Sequence, residues 1–448
     1  MSTINKAKKL HHEKHKRKIL ALNKKVNKYS NKIQEFNPVN GNAIDVDSHS
    51  WFDITKTNYG SLFDNLKMSE FDKLDNDNYY VQIYKLKLND KQKTILCRWT
   101  DSYIDMYNDT TYFIRKYKKE QTKVPNLTEM KKILSINKKQ IRNKSKIPNG
   151  KKSTYINMHI LDYALNDAIN AYHSCLTNLK NGNIKYFRLR PIKKSKKNKI
   201  IKLERLLFTK NSFCISAMGT VETFPKINNF LEHIKTTAII KKVNDSFNLH
   251  VKYIKTQNKE NKNTCQIGID PGIRTILTGI SNNHVLEVGK DVQPMVIKKI
   301  KNMDRINKLE ISDKRKNHII KKKRKKLHNK IEDFQWRAAN YLTNNYKEIL
   351  FGNASTKSMV EGKLQKMQKR VASTIALYRL RQKIKYLSFY KGNKYMLVDE
   401  YGTTKCCSFC TYYNKKIGSS KIYNCPKCKR TIDRDVNSAK NILMIGAK

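Results

Sequence analysis

Five of the nine cysteines of the chain lie between Cys406 and Cys428. Within this segment, Cys407 and Cys410 form one pair with two intervening residues, and Cys425 and Cys428 form a second. Two such pairs place four thiolates on tight turns, which is the pattern of a structural zinc ribbon. Cys406 is then a spare thiol, because pairing it with Cys410 would break the two-residue spacing. The other four cysteines are scattered singly, which argues against a secreted disulfide framework.

Carboxylates stand at the ends of predicted elements in three further places. Asp270 ends a predicted apolar strand, and Asp399 and Glu400 end a second one. Asp433 and Asp435 open a predicted final helix, where the positive end of the helix dipole favours anions. Each of these residues alone fits an ordinary turn or cap. Together they predict a site for two Mg²⁺ ions, which need several carboxylate oxygens to bridge them.

The charge of the chain points to a polyanionic partner. Lys and Arg total 93 and Asp and Glu total 37, so the formal net charge is +56. Residues 314–326 include nine Lys or Arg and no acidic residue, so a helix there must face solvent or phosphate. No apolar run approaches the roughly 20 residues of a membrane span. The N-terminus also lacks the apolar segment of a secretory signal, so we expect an intracellular protein associated with nucleic acid.

Hydrophobic periodicity predicts the elements that position these groups. Helices are predicted from Asp90 onward and over about 154–180, 296–344, 359–390 and 434–445. Strands are predicted over Tyr79–Leu88, Lys185–Arg190, Phe213–Met218, Thr237–Lys242, Phe247–Ile254, Gln266–Asp270, Thr275–Ser281, His284–Val288, Glu348–Phe351 and Tyr395–Glu400.

These elements group into three parts. Residues 1–75 form a basic arm and an acidic segment, in which Trp51, Phe52 and Phe63 are candidate docking points. Residues 76–256 form a nucleic-acid recognition lobe, predicted as a small wedge-like β-barrel with a helical insert at about 90–182. Residues 257–448 form an α/β unit with the zinc ribbon at 403–430. The predicted fold class is therefore α/β plus α+β.

Three motifs together resemble one family. They are Ile-Gly-Ile-Asp-Pro-Gly at 267–272, the zinc-ribbon pattern at 403–428, and Asp-Arg-Asp-Val-Asn-Ser-Ala-Lys-Asn at 433–441. The chain resembles the TnpB and Fanzor proteins, transposon-associated, RNA-guided DNA endonucleases with a RuvC-like nuclease domain. The resemblance covers about residues 257–448 and implies a RuvC/RNase H-like fold there.

The resemblance also implies which carboxylates would be catalytic Mg²⁺ ligands. The first is Asp270, and the last is Asp435 rather than Asp433, because the family's last aspartate lies in the pattern Asp-x-Asn-x-Ala. TnpB-like sequences place the middle glutamate at the end of the strand that corresponds to Glu348–Phe351. Here that strand runs into Gly-Asn-Ala at 352–354, with no carboxylate.

Fanzor-type members instead carry a glutamate just before the zinc ribbon, in a Glu-Tyr-x-Thr pattern found here at Glu400–Thr403. The middle ligand is therefore predicted to be Glu400, with Glu348 and Glu361 as alternatives. This departure from the TnpB pattern favours the Fanzor branch, which is eukaryotic and giant-viral. It implies a nuclear location or one in a cytoplasmic viral factory.

The implied function is Mg²⁺-dependent cleavage of double-stranded target DNA, directed by a guide RNA with one protein per guide. Two alternatives stay open. One is a catalytically silent, guide-dependent DNA-binding protein such as a repressor, and the other is a DDE-type transposase, which also uses acidic triads. A zinc ribbon that lies between the second and third carboxylates in the chain favours a RuvC-like nuclease over a DDE-type transposase.

Overall fold

The computed structural model describes residues 13, 17–21, 23, 42–49, 52–59, 68, 71–72, 79–120, 123–149, 152–195, 198–243, 246–254, 265–354, 360–362, 364–418 and 420–447. Most of the predicted basic arm, with Trp51 and Phe63, lies outside these residues. The chain divides into two compact units, one of residues 77–255 and one of residues 1–76 and 256–448. In the described part of the chain, no helix has both the length and the apolar composition to cross a membrane.

The elements are numbered in chain order. The strands are β1 Asn42–His49, β2 Phe52–Asn58, β3 Tyr79–Lys87, β4 Ile147–Asn149, β5 Lys152–Thr154, β6 Asn198–Glu204, β7 Glu222–Phe224, β8 Thr237–Val243, β9 Ser246–Ile254, β10 Gln266–Pro271, β11 Leu277–Ser281, β12 His284–Val288, β13 Glu348–Gly352, β14 Lys394–Val398, β15 Ile422–Asn424 and β16 Thr431–Asp433. The helices are α1 Asp90–Lys119, α2 Leu127–Ile133, α3 Ser135–Lys144, α4 Met158–Lys180, α5 Ile215–Met218, α6 Phe230–His233, α7 Val292–Asn307, α8 Asp313–Asn345, α9 Lys366–Ile375, α10 Leu377–Lys391 and α11 Arg434–Gly446.

The unit of residues 77–255 is built on an antiparallel sheet in the order β6-β8-β9-β3-β7. Helices α1 to α4 lie between β3 and β6 in the chain, where the helical insert is predicted. Apolar residues of α1 and α4, such as Trp99 and Leu165, share one core with Ile201 and Leu249 of the sheet. The described ladder ends at β6 and β7, and its closure into a barrel stays a prediction.

Two strands predicted in this unit are wrong. Residues 185–190 form neither helix nor strand, and side chains of α1 bind the backbone within and just after this stretch. Arg115 donates to the Leu189 carbonyl, and Asn108 both donates to and accepts from Ile192. The strand predicted over residues 213–218 is the short helix α5, which follows a left-handed residue, Cys214, with φ of 46°.

The second unit contains a seven-stranded sheet in the order β1-β2-β12-β11-β10-β13-β14. Strands β10, β13 and β14 are parallel neighbours, and the other pairs are antiparallel. The three parallel strands therefore end at the same edge of the sheet. That edge is where open α/β sheets usually carry their sites.

Apolar residues alternate between the two faces of this sheet. Ile349 and Phe351 pack with α7 to α10 on one face, whereas Leu350 and Met396 pack with α11 on the other. Gly268 allows α11 to approach β10 closely, because a Cβ there would lie 2.8 Å from the Ala439 carbonyl oxygen. The alternation places positions 268, 350 and 396, and the even-numbered positions that follow them, on the α11 face.

The hairpin β1–β2 extends the sheet at β12, so part of the acidic segment belongs to this unit. Phe52 is fully buried and packs edge-on against Phe334 of α8 with ring centroids 5.4 Å apart. Composition alone predicts residues 1–75 as separate from residues 257–448. The pairing of β2 with β12, which are far apart in the chain, depends on backbone hydrogen bonds, and composition gives no information on these.

Two long helices predicted in this unit are each broken in the structure. The first breaks over residues 308–312, just before α8, and Ser312 is a residue type that favours helix starts. The second breaks at Ala376, which has a left-handed φ of 53°. The buried Gln335 side chain donates to the Ile375 carbonyl at 2.6 Å, so a tertiary contact supports this break.

Candidate active site and four-cysteine cluster

Two predicted ligands lie at the shared end of the parallel strands. Asp270 lies near the end of β10, and Glu400 follows the end of β14 by two residues. Between them, β13 ends at Gly352. Strand alternation places Asp270 and Gly352 on the α11 face, and the Glu400 carboxylate reaches the same side beside Gly352.

Gly352 explains how Glu400 reaches the site from the neighbouring strand. A Cβ at position 352 would lie 2.7 Å from Glu400 Oε2 and 3.0 Å from Pro271 Cδ. The Glu400 carboxylate therefore fills the space that a side chain at the end of β13 would take. The sequence signal for this residue is a glycine where the strand pattern ends, which is typical of a close approach.

Helix α11 brings the third predicted ligand, Asp435, to the same place. Asp433 is its N-cap, and one of its carboxylate oxygens accepts from the backbone N–H groups of Asp435 and Val436 at 2.8 and 3.2 Å. Capping thus occupies Asp433, while Asp435 projects from the first turn. Ser438, one turn later on the same face, hydrogen-bonds to Asp270. No pattern in the sequence distinguishes Ser438 as a site residue.

Burial and mutual repulsion dominate the electrostatics of these carboxylates. Asp270 is held from solvent next to Glu400 and Asp435, and burial followed by these two negative charges raises its pKa well above the usual range. Burial, with a smaller contribution from Asp399, raises the pKa of Glu400 to about 7. Both groups therefore resist ionisation unless a cation compensates the charge.

The alternative carboxylates lie elsewhere. Glu348 begins β13, about 13 Å along the strand from its end at 3.3 Å per residue. It accepts hydrogen bonds from Gln266 Nε2 and Lys394 Nζ at 2.7 and 3.1 Å. Glu361 is exposed. The Asp399 side chain is 63% exposed and pairs with Lys18 at 2.8 Å, so it does not share the environment of Glu400.

The carboxylates around Asp270 offer oxygen donors for a divalent cation, but among the described residues only the four cysteines bring their ligand atoms within 4.8 Å of one another. Glu400 Oε2 is buried and has no hydrogen-bond partner among the described residues. Asp270 contributes further oxygen donors and is partly buried, and the side chain of Asp435 is 14% exposed. Hard divalent cations prefer such oxygen ligands, and bridging positions need several of them.

The four predicted zinc ligands form one cluster. The ligand atoms of Cys407, Cys410, Cys425 and Cys428 all lie within 4.8 Å of one another. Two of the sulfur pairs are 3.8 and 3.4 Å apart. Tetrahedral zinc with bonds of about 2.3 Å separates its sulfur ligands by roughly 3.8 Å, so this cluster could bind zinc. Cys406 lies outside the group, and burial raises the pKa of its thiol to about 12.

A buried polar network joins the cysteine segment to α11. Asn441 Nδ2 donates to the carbonyls of Thr403 and Cys406 at 2.7 and 2.8 Å. Asn437 accepts from the backbone N–H of Ser408 at 2.9 Å. Thr403 Oγ1 lies 2.9 Å from Ser438 Oγ, so the network continues to the hydroxyl that binds Asp270. The helix that carries Asp435 is thus tied to the ribbon by hydrogen bonds.

A cleft rich in basic residues lies between α7, α8, α9 and the start of α10. Its volume is about 640 Å³, and its basic lining comprises Arg324, His328, Lys366, Lys369, Arg370 and Arg379. Nearby on α8, all six residues of 321–326 are Lys or Arg and all are exposed. Two helical turns that expose cations all round suit contact with phosphate rather than a protein core.

The fold and the site define a mixed α/β protein with a carboxylate cluster and a four-cysteine cluster in one unit. Residues 378–442 match the family model described as Cas12f1-like, TNB domain. The TnpB-like proteins L770 and R854 of Acanthamoeba polyphaga mimivirus are each 32% identical to the chain over 391 residues. The alignments cover 82% of the chain and 73% and 72% of these relatives. The chain therefore belongs to the TnpB-like family.

Among solved structures, the chain is similar to one described as the cryo-EM structure of the Cas12f1-sgRNA-target DNA complex. The TM-score is 0.48 at 14% identity, over 79% of this chain and 83% of that chain.

Proposed function

We propose that the chain is an RNA-guided, Mg²⁺-dependent DNA endonuclease of the Fanzor type with a RuvC-like site. The observation that carries the proposal is the placement of Asp270, Glu400 and Asp435 together, from two strand ends and one helix start. Membership of the TnpB-like family supports it. The proposed partners are one guide RNA and double-stranded target DNA.

In this proposal the three carboxylates hold two Mg²⁺ ions, which would activate water for in-line attack on a phosphodiester and neutralise the charge that develops. Ser438 orients Asp270, and Gly352 leaves room for Glu400. The exposed cations of α8 and the cleft beside it bind nucleic-acid phosphates. The four cysteines hold a structural zinc ion.

The decisive experiment compares Glu400, which lies beside the end of β13, with Glu348, which begins that strand. Glu400→Gln keeps the size of the side chain but removes its charge, so we expect cleavage of a matched target to be lost. Glu348→Gln, Glu361→Gln and Asp399→Asn should cleave nearly normally, since the structure places them away from Asp270 or on the surface. Binding of guide and target is measured in parallel. Loss of cleavage in Glu348→Gln, together with normal cleavage in Glu400→Gln, would contradict the proposed site.

A second candidate function is suggested by the name of one relative, the putative transposase A625R of Paramecium bursaria Chlorella virus 1, which is 25% identical over 378 residues. Sequencing the RNA that co-purifies with the protein separates the two. A discrete RNA with one variable end supports the guided endonuclease, whereas the absence of any specific RNA favours the transposase. A guide-bound protein that never cleaves would indicate the silent DNA-binding reading.

A further inference from the structure

The side chain of Lys440 lies in the interior between α11 and the cysteine segment. Lys440 is fully buried, and its Nζ has no hydrogen-bond partner among the described residues. Nζ lies 3.7 Å from the centroid of the Phe409 ring. A buried ammonium without an acceptor is strongly unfavourable unless an opposite charge lies nearby. The position therefore calls for a negative partner.

The ring that Lys440 contacts belongs to the cysteine cluster. Phe409 stands between Cys407 and Cys410 in the chain. The guanidinium of Arg430 lies 4.6 Å from the centroid of the same ring, so one aromatic ring contacts two cations. Burial lowers the pKa of Lys440 to about 7, and a negative charge on Cys407 opposes this shift. Two basic side chains, Lys440 buried and Arg430 exposed, thus stand beside the four thiols.

We propose that Lys440 supplies a buried counter-charge to a zinc centre formed by the four cysteines. One Zn²⁺ with four thiolates carries a net charge of −2, and one buried ammonium would offset half of it. The electron-rich face of Phe409 holds the ammonium at the cluster where water is excluded. Lys440 is thereby a positioning residue that favours the thiolate forms. The inference depends on zinc binding and not on nuclease chemistry.

The test compares zinc binding by the full-length wild-type protein and Lys440→Met. Methionine keeps the length and the contact with the ring but removes the charge. Zinc affinity, measured by competition with a chromophoric chelator, should fall at least about tenfold in Lys440→Met. Lys427→Met is the matched control, because Lys427 lies between two of the cysteines but is exposed to water. It should change zinc affinity less than about twofold, since exposed charges interact weakly.

A second measurement distinguishes charge compensation from a structural role. Without zinc, Lys440→Met should melt at the same or a higher temperature than the wild type, because an uncompensated buried charge has been removed. With zinc, its melting temperature should rise less than that of the wild type. Equal losses of stability with and without zinc would indicate a merely structural lysine and overturn the proposal.

The outcomes also separate this proposal from the zinc assignment. A wild-type chain that binds no zinc would overturn both. A wild type that binds zinc, beside a Lys440→Met variant of equal zinc affinity, would overturn only the role of Lys440 and leave the four-cysteine site and the proposed nuclease intact.

Discussion

The carboxylate cluster and the four-cysteine cluster both involve helix α11, but they are built in different ways. The four cysteines come from one segment of 22 residues, Cys407 to Cys428, and local turns bring each pair together. The carboxylates come from positions as distant as Asp270 and Asp435, and the sheet brings them together. One cluster is a property of a local segment, and the other is a property of the whole unit.

The two clusters should also contribute to stability with opposite signs. Without a cation, Asp270 and Glu400 are buried near one another, so their ionisation opposes folding. A zinc ion on the four cysteines would instead add its binding free energy to folding. This difference is what we expect between a site kept for chemistry and a site kept for structure.

The largest effect should come from Asp270→Asn. Losing a residue that orients a metal ligand costs about 10–100-fold, so losing a ligand should reduce cleavage by more than about a hundredfold. Guide and target binding should persist, and in EDTA the variant should melt at a slightly higher temperature because one repulsive charge is gone. Cleavage assays and thermal melting check this.

Asp433→Asn is the matched control for Asp270→Asn. Asparagine can still cap α11, so we expect near-normal cleavage and stability. Strong loss of cleavage in this variant, with Asp435→Asn active, would reverse the roles of the two aspartates.

Removing one of the four cysteine ligands should lower the stability of the protein. Cys425→Ser is expected to abolish binding of about one zinc ion per chain and to destabilise the unit of residues 1–76 and 256–448, by a share of the roughly 10–16 kcal/mol that zinc can contribute to such sites. Cys406→Ser should have a mild effect, since that sulfur lies outside the cluster. Metal analysis and thermal melting test this prediction. Loss of zinc in Cys406→Ser, with zinc retained in Cys407→Ser, would show that Cys406 and not Cys407 is the ligand.

Gly352→Ala tests the carboxylate cluster without removing a ligand. The new Cβ would displace the end of the Glu400 side chain and would also lie 3.0 Å from Ile442 Cδ1 and Pro271 Cδ, so we expect at most a modest loss of stability. Misplacing a catalytic group by about 1 Å can cost roughly a hundredfold, and we expect cleavage to fall by about ten- to a hundredfold. Gly418→Ala, where a Cβ meets nothing within 4 Å, should leave cleavage unchanged. Full activity of Gly352→Ala would argue against Glu400 as a ligand.

The smallest effect should be a pH dependence of stability. The pKa of Glu400 is raised to about 7 in the folded chain, mainly by burial, so the folded state holds a proton that the unfolded state loses near pH 4.5. Its stabilisation is complete below about pH 4.5 and is lost as the pH rises through 7. In EDTA, the wild type should therefore lose on the order of 1–3 kcal/mol more than Glu400→Gln between pH 5 and 8. Equal pH profiles in chemical denaturation would contradict this, and Mg²⁺ should reduce the difference.

The sequence by itself determined the features that depend on local spacing. The two Cys-x-x-Cys pairs, the short strands predicted at 266–270 and 284–288 and the aspartates that open α11 could all be read from neighbouring residues. Which carboxylates form the site was implied only by a family resemblance, and the tertiary structure supplies the physical reason. Strand order places Gly352 between Asp270 and Glu400, and it leaves Glu348 at the far end of β13. The break at Ala376, supported by Gln335, and the buried position of Lys440 were equally invisible, because each depends on a partner distant in the chain. Periodicity reports the environment along one element, whereas a site of this kind is set by the packing between elements.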